Sequence, residues 1–224
     1  MSRTVAIHAA LAGMAWVSAA AAQSYVPPDE VVIYLHKDLQ ERDFVEGLVC
    51  ELGRVLAAPV HAEDTDLPLR RSYLMTPTQL DADKLRAVFG DATAVLDRRV
   101  FRYLVLPYDL KVNGLNYVFA STGVDGVAVG VMSVTRLIPR QDGLSRKKVS
   151  DVTGDRLYKL MLKSVAVLSG LRSNGCIMAF PRSLEELDRK PAEFCPQDKA
   201  ALVASGVLKE RPYGACDAVA MAYR

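Results

Sequence analysis

Residues 155–198 read DRLYKLMLKSVAVLSGLRSNGCIMAFPRSLEELDRKPAEFCPQD, and this stretch decides the fold. Leu157, Met161, Val165 and Leu168 recur at spacings of three and four, so Asp155–Leu171 reads as a helix with one apolar stripe. Gly170 is its stop signal. At 100° per residue, Arg156, Lys159, Lys163, Val167 and Gly170 fall within roughly 40° of a common line on another face. That face reads either as one wall of a cleft for an anionic or peptide ligand, or as a solvated basic surface. A tight Cys176-Ile-Met178 turn follows, then Asp188-Arg-Lys190 and Phe194-Cys195.

Upstream, Val31-Val-Ile-Tyr-Leu35 is a continuous apolar run, the pattern of a buried strand. Phe44, Leu48, Leu52 and Val55 space a helix over Asp43–Leu56, and Ala58-Pro-Val-His61 opens a second strand. Strand, helix and strand imply a right-handed βαβ crossover. Thr76 and Pro77 read as the cap and first residue of another helix, running through Leu85 and Val88. Phe101–Leu106 is a third buried strand. Asn116–Phe119 and Val127–Val134 read as a pair across a glycine-rich loop, Gly123–Gly126. Gln141–Ser150 is polar and basic and reads as an exposed loop. The fold class is α/β.

The chain has 224 residues and a net charge of +2, and half of it is apolar. One domain with a sizeable core fits that length. The charge is too near neutral to argue for nucleic acid. Arg3, the apolar run Val5–Val17 and Ala20-Ala21-Ala22 before Gln23 make residues 1–22 a cleavable signal peptide. The run falls short of the roughly 20 apolar residues of a membrane span. The expectation is an exported protein, periplasmic or secreted, with no membrane attachment after cleavage. Four cysteines, Cys50, Cys176, Cys195 and Cys216, favour disulfides in an oxidising compartment. They allow three pairings, and spacing does not choose among them.

Several motifs taken in order resemble the archaemetzincins, a family of small zinc metallopeptidases. They are Asp109, Asn116-Tyr-Val-Phe119, Ser133-Val-Thr-Arg-Leu137, Cys176-Ile-Met178 at the Met-turn, Asp188-Arg-Lys190 and Phe194-Cys195. The resemblance implies a metzincin-like twisted mixed sheet with helices over residues 29–150. A smaller irregular C-terminal subdomain over residues 151–224 would complete a single domain, 23–224. The family's helix carries H-E-x-x-H-x-x-G-x-x-H. With Gly170 on the motif's glycine, the zinc-ligand positions fall on Lys163, Val167 and Ser173, and the general-base position on Ser164. Two histidines at i and i+4 would share one zinc, and the glutamate would polarise its water. An ammonium, an isopropyl group and two hydroxyls supply neither. After signal cleavage only His36 and His61 remain, too few for a three-histidine site. The family's second, four-cysteine zinc site falls on Asn174, Cys176, Cys195 and Asp198. The resemblance thus implies a Cys176–Cys195 disulfide in its place, leaving Cys50 and Cys216 as the second pair; the alternative is a residual metal site on both thiolates with Asn174 and Asp198.

The expectation is therefore a non-catalytic, archaemetzincin-like protein with no cofactor. Its partner would be an extended peptide, added to an exposed edge of the Val127–Val134 strand as the resemblance implies, or an envelope protein, held in a cleft lined by Lys159, Lys163, Val167, Val129 and Val131 beside Met178. The alternatives are a metal-dependent peptidase with non-standard ligands, using zinc, and a structural component of an envelope complex. His61, Glu63, Asp64 and Asp66 lack the spacing of a calcium loop. No histidine is placed near Ser121, Ser133 or Ser164 for a serine triad. Gly123–Gly126 lacks the lysine of a phosphate loop.

Overall fold

The computed structural model describes residues 25–94, 99–212 and 216; the signal-peptide reading of residues 1–22 lies outside them. In chain order the elements are β1 (Glu30–His36), α1 (Val45–Val55), β2 (Val60–Thr65), β3 (Leu74–Thr76), β4 (Gln79–Asp81), α2 (Ala82–Thr93), β5 (Val100–Leu106), β6 (Asp109–Lys111), β7 (Ala120–Asp125), β8 (Val127–Ser133), α3 (Arg146–Leu168), α4 (Leu184–Arg189) and α5 (Pro196–Ala204). The main sheet has the order β2-β1-β5-β8-β7. All its neighbours are parallel except β7, which runs antiparallel to β8. It is the mixed sheet that the apolar runs imply.

Alternation along the central strands divides the core in two. Phe101, Tyr103 and Val105 of β5 join Val31, Ile33 and Leu35 of β1 in one cluster, packed with Leu48 and Leu52 of α1 and Leu157, Met161 and Val165 of α3. Leu104 and Leu106 point the other way, into a cluster with Leu85 and Phe89 of α2. β5, covered on both faces, is buried along its whole length. Gly130 of β8 lets β5 keep a tyrosine there, because a Cβ on Gly130 would sit 2.7 Å from the Tyr103 ring.

The structure departs from the sequence reading in four places. α3 begins at Arg146, inside the stretch read as an exposed loop, because Ser145 accepts the Lys148 N–H and caps it. The basic residues there are simply the helix's solvated first turns. Pro77 opens no helix: residues 74–81 form the β3–β4 hairpin, which pairs with β6, and Asp81 caps α2 through the N–H groups of Asp83 and Lys84. The partner of β8 is Ala120–Asp125 rather than Asn116–Phe119. Gly123 lies within it, and Gly126 alone, at φ +79°, makes the turn. β8 is therefore an inner strand, and β7 is the edge.

Candidate functional site

β7 and α3 meet where Thr122 Oγ1 and Ser164 Oγ lie 2.6 Å apart. Beside that contact opens a cleft of about 460 Å³. Its floor is α3, through Leu160, Lys163, Ser164 and Val167; its rim is residues 115–120 with Thr122; its far wall is Phe180, Pro181 and Arg182. A cavity of about 600 Å³ between α1 and α3 also reaches Pro212 and Cys216. It lacks the helix face that the motifs single out.

The rim is braced by the motifs found in the sequence. Arg136 grips Asp109 with two bonds, of 2.8 and 2.6 Å, and its guanidinium lies 4.0 Å from the centre of the Tyr117 ring. Gln79 Nε2 donates to Asp109 Oδ2 and to the Asn116 carbonyl, both at 2.9 Å. Burial alone would raise the Asp109 carboxyl, but the bonds from Arg136 and Gln79 outweigh it and hold its pKa below the usual value. Tyr117 Oη reaches the Arg182 carbonyl at 3.1 Å and ties rim to wall. The wall hangs from the Cys176–Met178 turn. Cys176, at φ +49°, is in the left-handed region that side chains avoid, and its bond to Cys195 fixes it there.

Of the residues expected to line a cleft, Lys163 and Val167 do so. Val129 and Val131 do not: they are fully buried on the α2 side of the sheet, the face opposite α3, as the two-residue period of β8 dictates. Lys159 is also outside the cleft. It is buried, pairs with Asp155 at 2.8 Å and donates to the Asp188 carbonyl. Nor is the helix face simply solvated, because Arg156 is buried on Asp188 and on the Leu137 carbonyl at 2.6 Å. Met178 is a core residue. Ser173 lies in the segment after α3 without secondary structure. Cys176 is joined to Cys195 and Cys50 to Cys216, so the residual-metal alternative loses both of its thiolates. The sequence reading missed Tyr117, Thr122, Phe180 and Arg182 as cleft residues: Tyr117 shows only as part of a motif, Thr122 lies in the edge strand β7, and Phe180 and Arg182 lie in irregular chain.

A further missed residue is Lys190. It is 6% exposed, and its Nζ has no hydrogen-bond partner. Burial first, then the neighbouring Lys163 and Lys159, push its pKa down to about 7. Burial also lowers Lys163. The amines of Lys159, Lys163 and Lys190 are thus near enough to repel one another.

No protein-family model matches the chain. An archaemetzincin from Aeropyrum pernix is 30% identical over 182 residues, which span 79% of this chain and 88% of that relative. The chain belongs to the archaemetzincins. The archaemetzincin structure from Methanopyrus kandleri has a TM-score of 0.62 at 20% identity, covering 79% of this chain and 94% of that one. The zinc-dependent peptidase from Methanocorpusculum labreanum gives 0.61 at 24% identity, covering 77% and 99%. This archaemetzincin therefore has the metzincin-like fold that its motifs implied. That neighbour is a zinc-dependent peptidase, which overturns the expectation of a protein set apart from any cofactor. The side chains at the helix positions do not fit that metal. Lys163 brings an ammonium, Val167 no donor atom, and Ser164 a buried hydroxyl already engaged with Thr122. Among the described residues no group of three or more His, Cys, Asp or Glu side chains could hold a metal. His36 is buried on the Leu67 carbonyl, and His61 lies beside Glu30 and Glu63, both on the first two strands.

Proposed function

We propose that this archaemetzincin is an exported, non-catalytic member of its family that holds an extended peptide, or an extended segment of an envelope protein, along the free edge of β7 above α3. The observation that carries the reading is Lys163, whose ammonium occupies the floor of the cleft where peptidase chemistry calls for a neutral nitrogen donor. Ser164 beside it has no carboxylate with which to activate water. Two disulfides support an oxidising compartment, hence export. Among the described residues no helix is long and apolar enough to cross a membrane.

The edge itself supports strand addition. Ser133 N–H donates to the Phe119 carbonyl at 2.9 Å. By the alternation of an antiparallel ladder, Ala120 and Thr122 then turn their N–H and C=O groups away from β8, towards the cleft. An unpaired edge of this kind accepts an extended segment through its main chain. Proline is tolerated at the first residue of an edge strand, so Ala120→Pro should leave the fold intact and remove one outward N–H. We expect a fluorescein-labelled, amidated heptapeptide of alternating Thr and Leu to lose about tenfold in affinity on this variant, the worth of one main-chain bond and its register. Unchanged affinity at unchanged melting temperature would remove strand addition from the account.

A further inference from the structure

Among the described residues, Lys163 differs from the buried cations Arg156 and Lys159 of α3 in pairing with no acid. Arg156 has Asp188 and Lys159 has Asp155. Lys163 Nζ reaches only the Ala179 carbonyl, at 3.3 Å, and stands 5.4 Å from the centre of the Phe180 ring. Arg182, on the same wall, is likewise in no ion pair among the described residues. Around these two cations the cleft is apolar: Leu115, Phe119, Leu160, Val167 and the largely exposed Phe180. A half-buried ammonium among apolar side chains, with no anion of its own, is complementary to a carboxylate that arrives with apolar neighbours.

We infer that the cleft selects an extended segment bearing an acidic side chain, with the carboxylate of an Asp or Glu seated on Lys163 and an apolar residue two positions away seated on Val167. The inference rests on the strand-addition reading and goes beyond it by naming the ligand's chemistry. Thr122 meets Ser164, and Ala120 and Thr122 line the same cleft as Leu160, Lys163 and Val167, so α3 lies beneath β7. A strand added outside β7 sends every second side chain down onto the same helix. Lys163 and Val167 are one helical turn apart, about 6 Å along the axis, and alternate residues of a strand are about 6.6 Å apart. An acidic-x-apolar pattern therefore matches the floor. A side-chain carboxylate reaches down to Lys163, whereas a C-terminal carboxylate stays at the level of the sheet.

The test uses four fluorescein-labelled peptides read by polarisation: amidated Thr-Leu-Thr-Glu-Thr-Leu-Thr, the same peptide with Gln for Glu, the same with Lys for Glu, and the Gln peptide with a free C-terminus. The Glu peptide should bind about tenfold tighter than the amidated Gln peptide, as expected for a charge-assisted bond. The preference should vanish in Lys163→Met and pass to a peptide with Lys in place of Glu in Lys163→Glu. Equal binding of the Glu and Gln peptides overturns the acidic selectivity while leaving strand addition standing, provided Ala120→Pro still weakens both. A preference for the free C-terminus overturns it in favour of terminal capture. If no peptide binds, both readings fall.

Discussion

Replacing Lys190 with methionine should make the protein more stable at pH 6 and flatten the rise in stability that the wild type shows between pH 7 and pH 9.5. In the folded chain the amine titrates near 7, pushed down by burial and then by Lys163 and Lys159; in the unfolded chain it titrates at about 10.4. Below pH 7 both states carry the proton, and the native state bears the whole cost of a buried, unpartnered ammonium. Between the two values the unfolded state binds more protons, so stability climbs with pH. At about 1.4 kcal/mol per pH unit, the climb from 7 to 9.5 is worth about 2–3 kcal/mol. Methionine has a similar length and no charge to desolvate. Above pH 10 the tyrosines act in the opposite sense. Tyr158, pushed up to about 12 by burial first, loses its proton more readily when unfolded. Urea midpoints at pH 6, 7, 8 and 9 for wild type and Lys190→Met check this. A wild-type profile that is level or falling across that range contradicts it.

The double substitution Cys50→Ser, Cys216→Ser should destabilise the protein more than Cys176→Ser, Cys195→Ser, although the second bridge is the one beside the cleft. The first closes a separation of 166 residues and the second one of 19. Loop-closure entropy in the unfolded chain then puts the costs at about 5 and about 3 kcal/mol. Function should respond in the reverse order. Cys176–Cys195 holds the turn that carries Phe180 and Arg182, so its loss should weaken peptide binding more than loss of the long-range bridge does. Urea unfolding and peptide polarisation on the two double variants give both rankings. Equal costs, or the larger loss of binding from the Cys50 and Cys216 pair, would contradict this division of labour.

How much could be read from the sequence follows from how much each element is buried. β1, β5 and the part of α3 from Asp155 onward were legible because their apolar residues keep the period of a packed element. β7 was not. At the sheet's edge, its residues 120–124 are half solvated and include a glycine, so it reads as a loop. The β3–β4 hairpin was lost because Thr76-Pro77 fits a helix start as well as a turn, and only pairing with β6 decides between them. Val129 and Val131 were assigned to the cleft because the sequence does not say which face of β8 looks to α3; the pleat turns both valines to α2. Asp109, Tyr117 and Arg136 were visible as separate motifs, but their assembly into one brace for the rim depends on the fold. Lys190 was visible only as the end of the Asp-Arg-Lys motif, and nothing local announces its burial.

The most direct test of the account uses the wild-type protein supplied with one equivalent of zinc and incubated with the Glu heptapeptide at a concentration that saturates binding. Mass spectrometry then reads the peptide over a day. The account predicts a peptide that is bound and recovered whole. Cleavage fragments that form with zinc and cease to form with EDTA would contradict it, and would make Lys163 and its neighbours part of a working peptidase.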